Sequence, residues 1–137
     1  WPPTDRTPPP AGATAVFPAL PLLRQDLLSL PPETRKILFF VPYYIERQGE
    51  PGSVTAWNWA QCKQQVAAIA AETGAEAIDF MIPSAITRDK DNYWDPVHYR
   101  VPIAAELAEA LARGESPDAV RLVAPPKLSA AGSATAP

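Results

Sequence analysis

Two short apolar runs, Lys36 to Pro42 (KILFFVP) and Glu76 to Ile82 (EAIDFMI), limit what this chain can fold into more than any other feature. Each is continuous rather than alternating, which suits a strand covered on both faces, the usual state in a parallel sheet. Between them, after a loop from Tyr43 to Gly52, lies a segment of helical periodicity. Ser53 or Thr55 can cap its start, Trp59, Cys62, Val66 and Ile69 fall on one stripe, and Gly74 stands where a C-terminal cap is needed. Cys62 on that stripe reads as a buried, inert thiol. Strand, helix and strand in so short a span make a crossover unit, so the two strands are parallel and the connection right-handed.

Helices flank this unit. Leu20, Leu23, Leu27 and Leu30 recur at helical spacing until Pro31 and Pro32 stop them, giving a helix over Pro21 to Leu30. Beyond the second strand, a loop from Pro83 to Arg100 leads to VPIAAELAEALAR, with Pro102 at a first helical position and Gly114 at the end. Ile103, Leu107 and Leu111 form its inward stripe. Ala119 to Val123 carries a weak signal for an edge strand.

The resulting fold class is α/β: a three-layer sandwich on a parallel sheet, flavodoxin-like, and incomplete. Two strands leave apolar edges unpaired where such sheets have about four or five strands, so the edge is expected to recruit other strands by self-association. Residues 1–15, which open with WPPTDRTPPP, read as a proline-rich linker, 16–124 as the α/β domain or half-domain, and 125–137 as a disordered tail. The chain starts at Trp1 and its only methionine is Met81. It therefore reads as a processed product or as the carboxy-terminal half of a larger doubly wound domain.

Composition removes several functions. Twelve basic and 15 acidic residues give a net charge of −3, and no basic stripe exists to neutralise a row of phosphates, which argues against nucleic acid. One cysteine, Cys62, and one histidine, His98, exclude an internal disulfide framework, paired-cysteine zinc sites and multi-histidine metal centres. No cofactor is implied, and no apolar run approaches the length of a membrane span.

The densest chemistry lies in DKDNYWDPVHYR, Asp89 to Arg100, beyond the carboxyl end of the second strand, where open parallel sheets bind ligands. Asp95 and His98 stand three residues apart with Pro96 between them. A turn there brings the carboxylate onto one imidazole nitrogen, sets the tautomer, and leaves the other nitrogen as a base. The same spacing also serves as a structural staple of the loop. Tyr93 and Tyr99 are candidate substrate-binding residues or clamps on the core, and Trp94 reads as a clamp. Asp89, Asp91 and Asp95 alternate as in a calcium loop, but Trp94 sits where the turn needs glycine and Arg100 where a bidentate Glu should close the site. Asp89 and Asp91 are better read as solvated turn residues.

Asp95-Pro96-Val97-His98 at the start of the last helix resembles the Asp-x-x-His block of the SGNH, or GDSL-type, hydrolase and acyltransferase superfamily. The similarity runs from about Ile37 to Arg113 and includes a strand ending in Pro42-Tyr43-Tyr44, a helix, a strand ending near Pro83, and a closing helix. The resemblance implies a flavodoxin-like sheet, ester chemistry on an acyl ester or acetylated carbohydrate, and a bacterial envelope or extracytoplasmic setting. It makes His98 the base and Asp95 its orienter. The family's Gly-Asp-Ser block is absent, and none of Gly49, Gly52, Gly74 or Gly114 begins a Gly-x-Asn pattern. Ser84 lies near the same sheet edge but on the wrong element. By this resemblance the chain bears the base and lacks the nucleophile, so alone it is inactive. The alternative is a noncatalytic α/β interaction or scaffold module.

Overall fold

The computed structural model describes residues 3–124. Helix α1 spans Leu20–Ser29, with a proline in its first turn. Strand β1 spans Ile37–Phe40, helix α2 Val54–Thr73 and strand β2 Glu76–Asp79. In α2 the Ser53 hydroxyl accepts the Ala56 N–H at 3.1 Å, and the Gly74 N–H closes the far end on the Ala70 carbonyl. That cap needs Gly49: its φ is +80°, and a Cβ there would sit 2.6 Å from the Ser53 oxygen. After β2 come a one-turn helix α3 (Ala85–Arg88), a hairpin of β3 (Tyr93–Asp95) and β4 (His98–Tyr99), helix α4 (Val101–Arg113) and strand β5 (Val120–Val123).

Strands β1 and β2 pair in parallel, from Ile37 opposite Glu76 to Phe40 opposite Asp79. Strand β5 forms, and it runs antiparallel along the other side of β2, so the order is β1-β2-β5 and the sheet is mixed rather than parallel throughout. The connection after α4 explains the direction. Asp118 accepts the Ala85 N–H at 3.1 Å, so the chain has already returned to the end of the sheet where β2 finishes before β5 begins.

The apolar side chains of β2 and its neighbours divide between two clusters. Ile78 and Phe80 join Ile86 and the α4 residues Ile103, Leu107 and Ala110. Ala77 packs with Ala70 and Ala75, flanked by Leu38, Leu122 and Val123. Small residues at this second contact let the α2 backbone approach the sheet, and they turn the helix from its expected stripe. Val66, Ala70 and Thr73 are its buried residues, while Trp59, Cys62 and Ile69 are half-buried. Cys62 is thus less enclosed than the stripe implied, though burial still raises its thiol pKa. No helix among the described residues is long and apolar enough to cross a membrane.

A strand covered on both faces that carries two carboxylates must bring cations to them. Glu76, 1% exposed, accepts from Arg35 Nε at 2.8 Å and from Arg121 Nη1 at 2.9 Å. Asp79 pairs with Lys63 Nζ at 2.7 Å and accepts the Met81 N–H at 2.9 Å, and Lys63 also donates to the Met81 carbonyl. The proline-rich arm is tied as well. The Asp5 carboxylate accepts the Thr7 and Thr55 backbone N–H groups, and the Thr7 bond first, then Thr55, lowers its pKa to about 2. Ala15 is buried, and its carbonyl accepts from Gln65. The tail assigned to residues 125–137 lies outside the described residues.

The Arg35 hydrogen bond above all, with Arg121 behind it, holds the Glu76 pKa below its ordinary 4.5. A depressed folded-state pKa contributes stability above the unfolded value that is lost as pH falls through the folded one. Glu76→Gln keeps the shape and removes the charge, so it should cost about 1–3 kcal/mol at neutral pH and less below pH 4.5. Urea melts at several pH values measure this, and equal losses at pH 7 and at acid pH would contradict the ion-pair account.

Candidate functional site

The stretch from Pro83 to Arg100, expected as a loop, is built from local hydrogen bonds. Ser84 caps α3, exchanging bonds with Thr87 in both directions. Asp89 accepts the Asp91 N–H at 2.9 Å and caps the 3-10 turn Lys90–Asn92, the turn role read for it. Asn92 then reaches back to the Ile86 carbonyl at 3.0 Å, and its own carbonyl accepts the Arg100 N–H at 2.8 Å. These bonds close the segment into a loop that presents the hairpin.

Asp95 pairs with His98 across the hairpin, with only Pro96 and Val97 turning the chain. Proline's fixed φ suits such a tight reversal. The Pro96 carbonyl accepts the Tyr44 N–H at 2.9 Å, which ties the turn to the segment after β1. One carboxylate oxygen of Asp95 accepts the Val97 and His98 backbone N–H groups at 2.9 and 3.0 Å. The other lies 2.6 Å from His98 Nδ1. The Val97 backbone bond first, then the His98 side chain, lowers the Asp95 pKa and keeps it ionised. With Nδ1 engaged, the neutral ring carries its proton there and leaves the Nε2 lone pair available. The His98 side chain is 72% exposed, so the ring stands largely in solvent.

The aromatic residues fall out differently from their sequence reading. Tyr93, read as either a substrate-binding residue or a clamp on the core, is 2% exposed, and its hydroxyl donates to the Pro42 carbonyl at 2.9 Å. It clamps the hairpin on the strand end, and burial, with the Tyr99 charge behind it, drives its pKa upward. Tyr99 stands opposite it and packs half-buried against the cluster of Phe80 and α4, so it too is a clamp. Trp94, read as a clamp, is instead 69% exposed. The pairing shifts register between Tyr93 and Asp95, which makes Trp94 the extra residue of a β-bulge and turns its ring outward. Arg100 lays its guanidinium 3.9 Å from the centre of that ring.

Sequence reasoning missed a groove beside the hairpin. A cleft of about 400 Å³ is lined by Tyr43, Arg47, Thr55, Asn58, Trp59 and the turn residue Val97. A larger one of about 600 Å³ opens over Lys63, Met81 and Ile82 at the end of β2, with Trp59 in its wall too. Spacing puts Trp59 on the helix stripe. Its place between two clefts depends on how α2 rotates, which spacing alone does not reveal. Ser84 contributes nothing to the Asp95–His98 pair: it is buried, and its hydroxyl is spent on the cap of α3.

Tyr93→Phe leaves the Pro42 carbonyl buried without its donor and should cost about 1–3 kcal/mol of stability. A substrate-lining tyrosine would cost almost none, so a denaturant melt of the variant distinguishes the two roles. No protein-family model, curated protein or solved structure matches the chain.

Proposed function

We propose that this chain is the base-bearing part of an ester hydrolase or O-acyltransferase of the SGNH kind, acting on an acyl ester or acetylated carbohydrate. The observation that carries the reading is the 2.6 Å contact between Asp95 and His98 Nδ1 on a solvent-open hairpin beyond the end of β2. In this reading His98 Nε2 takes the proton of a serine hydroxyl as its oxygen bonds to the acyl carbon. When the tetrahedral intermediate collapses, the bond to the leaving oxygen breaks and the imidazolium returns the proton to it. Asp95 holds the ring and stabilises its charge. The serine and its oxyanion donors lie outside these 137 residues, because no Gly-Asp-Ser block occurs in them.

The flavodoxin-like, three-layer form of the sheet belongs to the same proposal. Strand β1 ends the described sheet on one side, with Phe39 41% exposed. Further parallel strands bearing the nucleophile would pair there. In their absence a second copy is the natural partner for the edge. A second reading, a noncatalytic interaction module, is favoured by the two backbone N–H bonds to Asp95, which would staple the hairpin with no chemistry involved.

The coding sequence upstream of Trp1 separates the two readings: a strand followed by Gly-Asp-Ser supports the enzyme, and an unrelated region supports the module. If the joined protein is the enzyme, it should hydrolyse 4-nitrophenyl acetate, and His98→Ala should slow it by about 10²-fold or more. The 137-residue chain alone should match its own His98→Ala variant, and turnover lost on Ser84→Ala would overturn that expectation. Nitrogen-15 NMR of the imidazole should show the Nδ1–H tautomer in the native chain and a mixture in Asp95→Asn. Identical tautomers in two folded samples would remove Asp95 from its orienting role.

A further inference from the structure

The hairpin sorts its side chains between two faces. Tyr93 and Tyr99 take the core side. In extended backbone, side chains two residues apart share a face, so His98 and Arg100 project together on the other side, and Arg100 itself is extended at φ −76°, ψ 160°. The bulge adds Trp94 and Asp95 to that face, as the Arg100 stack on Trp94 and the Asp95 bond to His98 both require. An exposed imidazole, a stacked guanidinium and an open indole therefore share one face of the hairpin.

The guanidinium in this group has no anion. Arg24, Arg35, Arg113 and Arg121 each meet a carboxylate. Among the described residues Arg100 makes no side-chain hydrogen bond or ion pair, and its one side-chain partner is the Trp94 ring. Among the described residues Arg47 and Arg88 also meet no carboxylate, and neither lies against a ring. Stacking fixes the plane of the guanidinium while its N–H edge stays free, and that planar fork matches a carboxylate in two parallel hydrogen bonds. The indole, still 69% exposed with the guanidinium against it, offers apolar area for the C–H face of a sugar ring.

We infer that the outer face of the hairpin is a binding subsite for a carboxylate-bearing saccharide, with Arg100 gripping the carboxylate and Trp94 packing on the ring. The inference deepens the proposed function and rests on it, because a sugar held there presents its neighbouring ester to His98. It therefore specifies an acidic, rather than neutral, carbohydrate as the substrate class.

The test is binding to the isotope-labelled chain, read at the Trp94 indole N–H and the His98 ring by NMR. The probes are a uronic acid trisaccharide, its neutral hexose counterpart and a hexose phosphate. The uronate should shift both signals and saturate, with the neutral sugar and the phosphate at least tenfold weaker. Arg100→Gln should weaken uronate binding at least tenfold, Arg100→Lys should recover only part of it, and Arg88→Gln should leave it unchanged. Equal binding of the neutral sugar, equal or tighter binding of the phosphate, an unaffected Arg100→Gln variant, or no saturable shift would each overturn the inference. Failure here with the tautomer still responding to Asp95→Asn leaves the base reading standing. Saturable uronate binding with an unresponsive tautomer supports the subsite and sinks the base reading instead.

Discussion

Strand β2 is covered on both faces and paired along both edges, yet it carries two acids. Everything around it is arranged to accommodate that. Glu76 draws Arg35 from the segment before β1 and Arg121 from β5, so a single carboxylate joins all three strands of the sheet. Asp79 draws Lys63 from the middle of α2 and fixes that helix against the strand end. Desolvation pushes the Asp79 pKa up while Lys63 and the Met81 N–H pull it down, which is the usual balance for a buried pair. Removing the cations would strand the two buried carboxylates without partners. The ion pairs thus tie Arg35, β2, β5 and α2 together.

The position of β2 determines where the candidate site sits. Its last residues lead directly into the capped turn at Ser84, and Tyr93 anchors the hairpin to Pro42 at the matching end of β1. Two parallel strands therefore deliver one loop to their common carboxyl edge. There Asp95 performs two tasks with two oxygens: one fastens the turn backbone and the other holds the imidazole. The structural and the chemical interpretation of Asp-x-x-His are compatible for this reason. The proposed base needs an orienter that is itself held still, and the turn bonds hold Asp95 in place.

Much of this was legible from residue order. The continuous apolar runs located β1 and β2, and the crossover between them required their parallel pairing. Prolines and glycines marked the ends of α1, α2 and α4 closely, because caps and stops act through the backbone within one turn. The spacing of Asp95, Pro96 and His98 was enough to foresee their contact, since a proline turn confines both side chains to a few ångströms.

What residue order left open depended on contacts between distant segments. The direction of β5 follows from Asp118 meeting the Ala85 backbone, a bond between elements that share no local pattern. The clamp role left open for Tyr93 and assigned to Trp94 fell to Tyr93 because a bulge, visible only once β3 meets β4, decides which neighbour faces the core. The partners of Glu76 and Asp79 come from separate segments, and charge in a sequence does not say which opposite charge it will find. By itself the sequence determined the elements and the local Asp95–His98 contact, since both arise from backbone preferences and short-range geometry. Only the tertiary structure decided which side chains were buried, paired or left open, because burial is set by what packs against a residue and not by what precedes it.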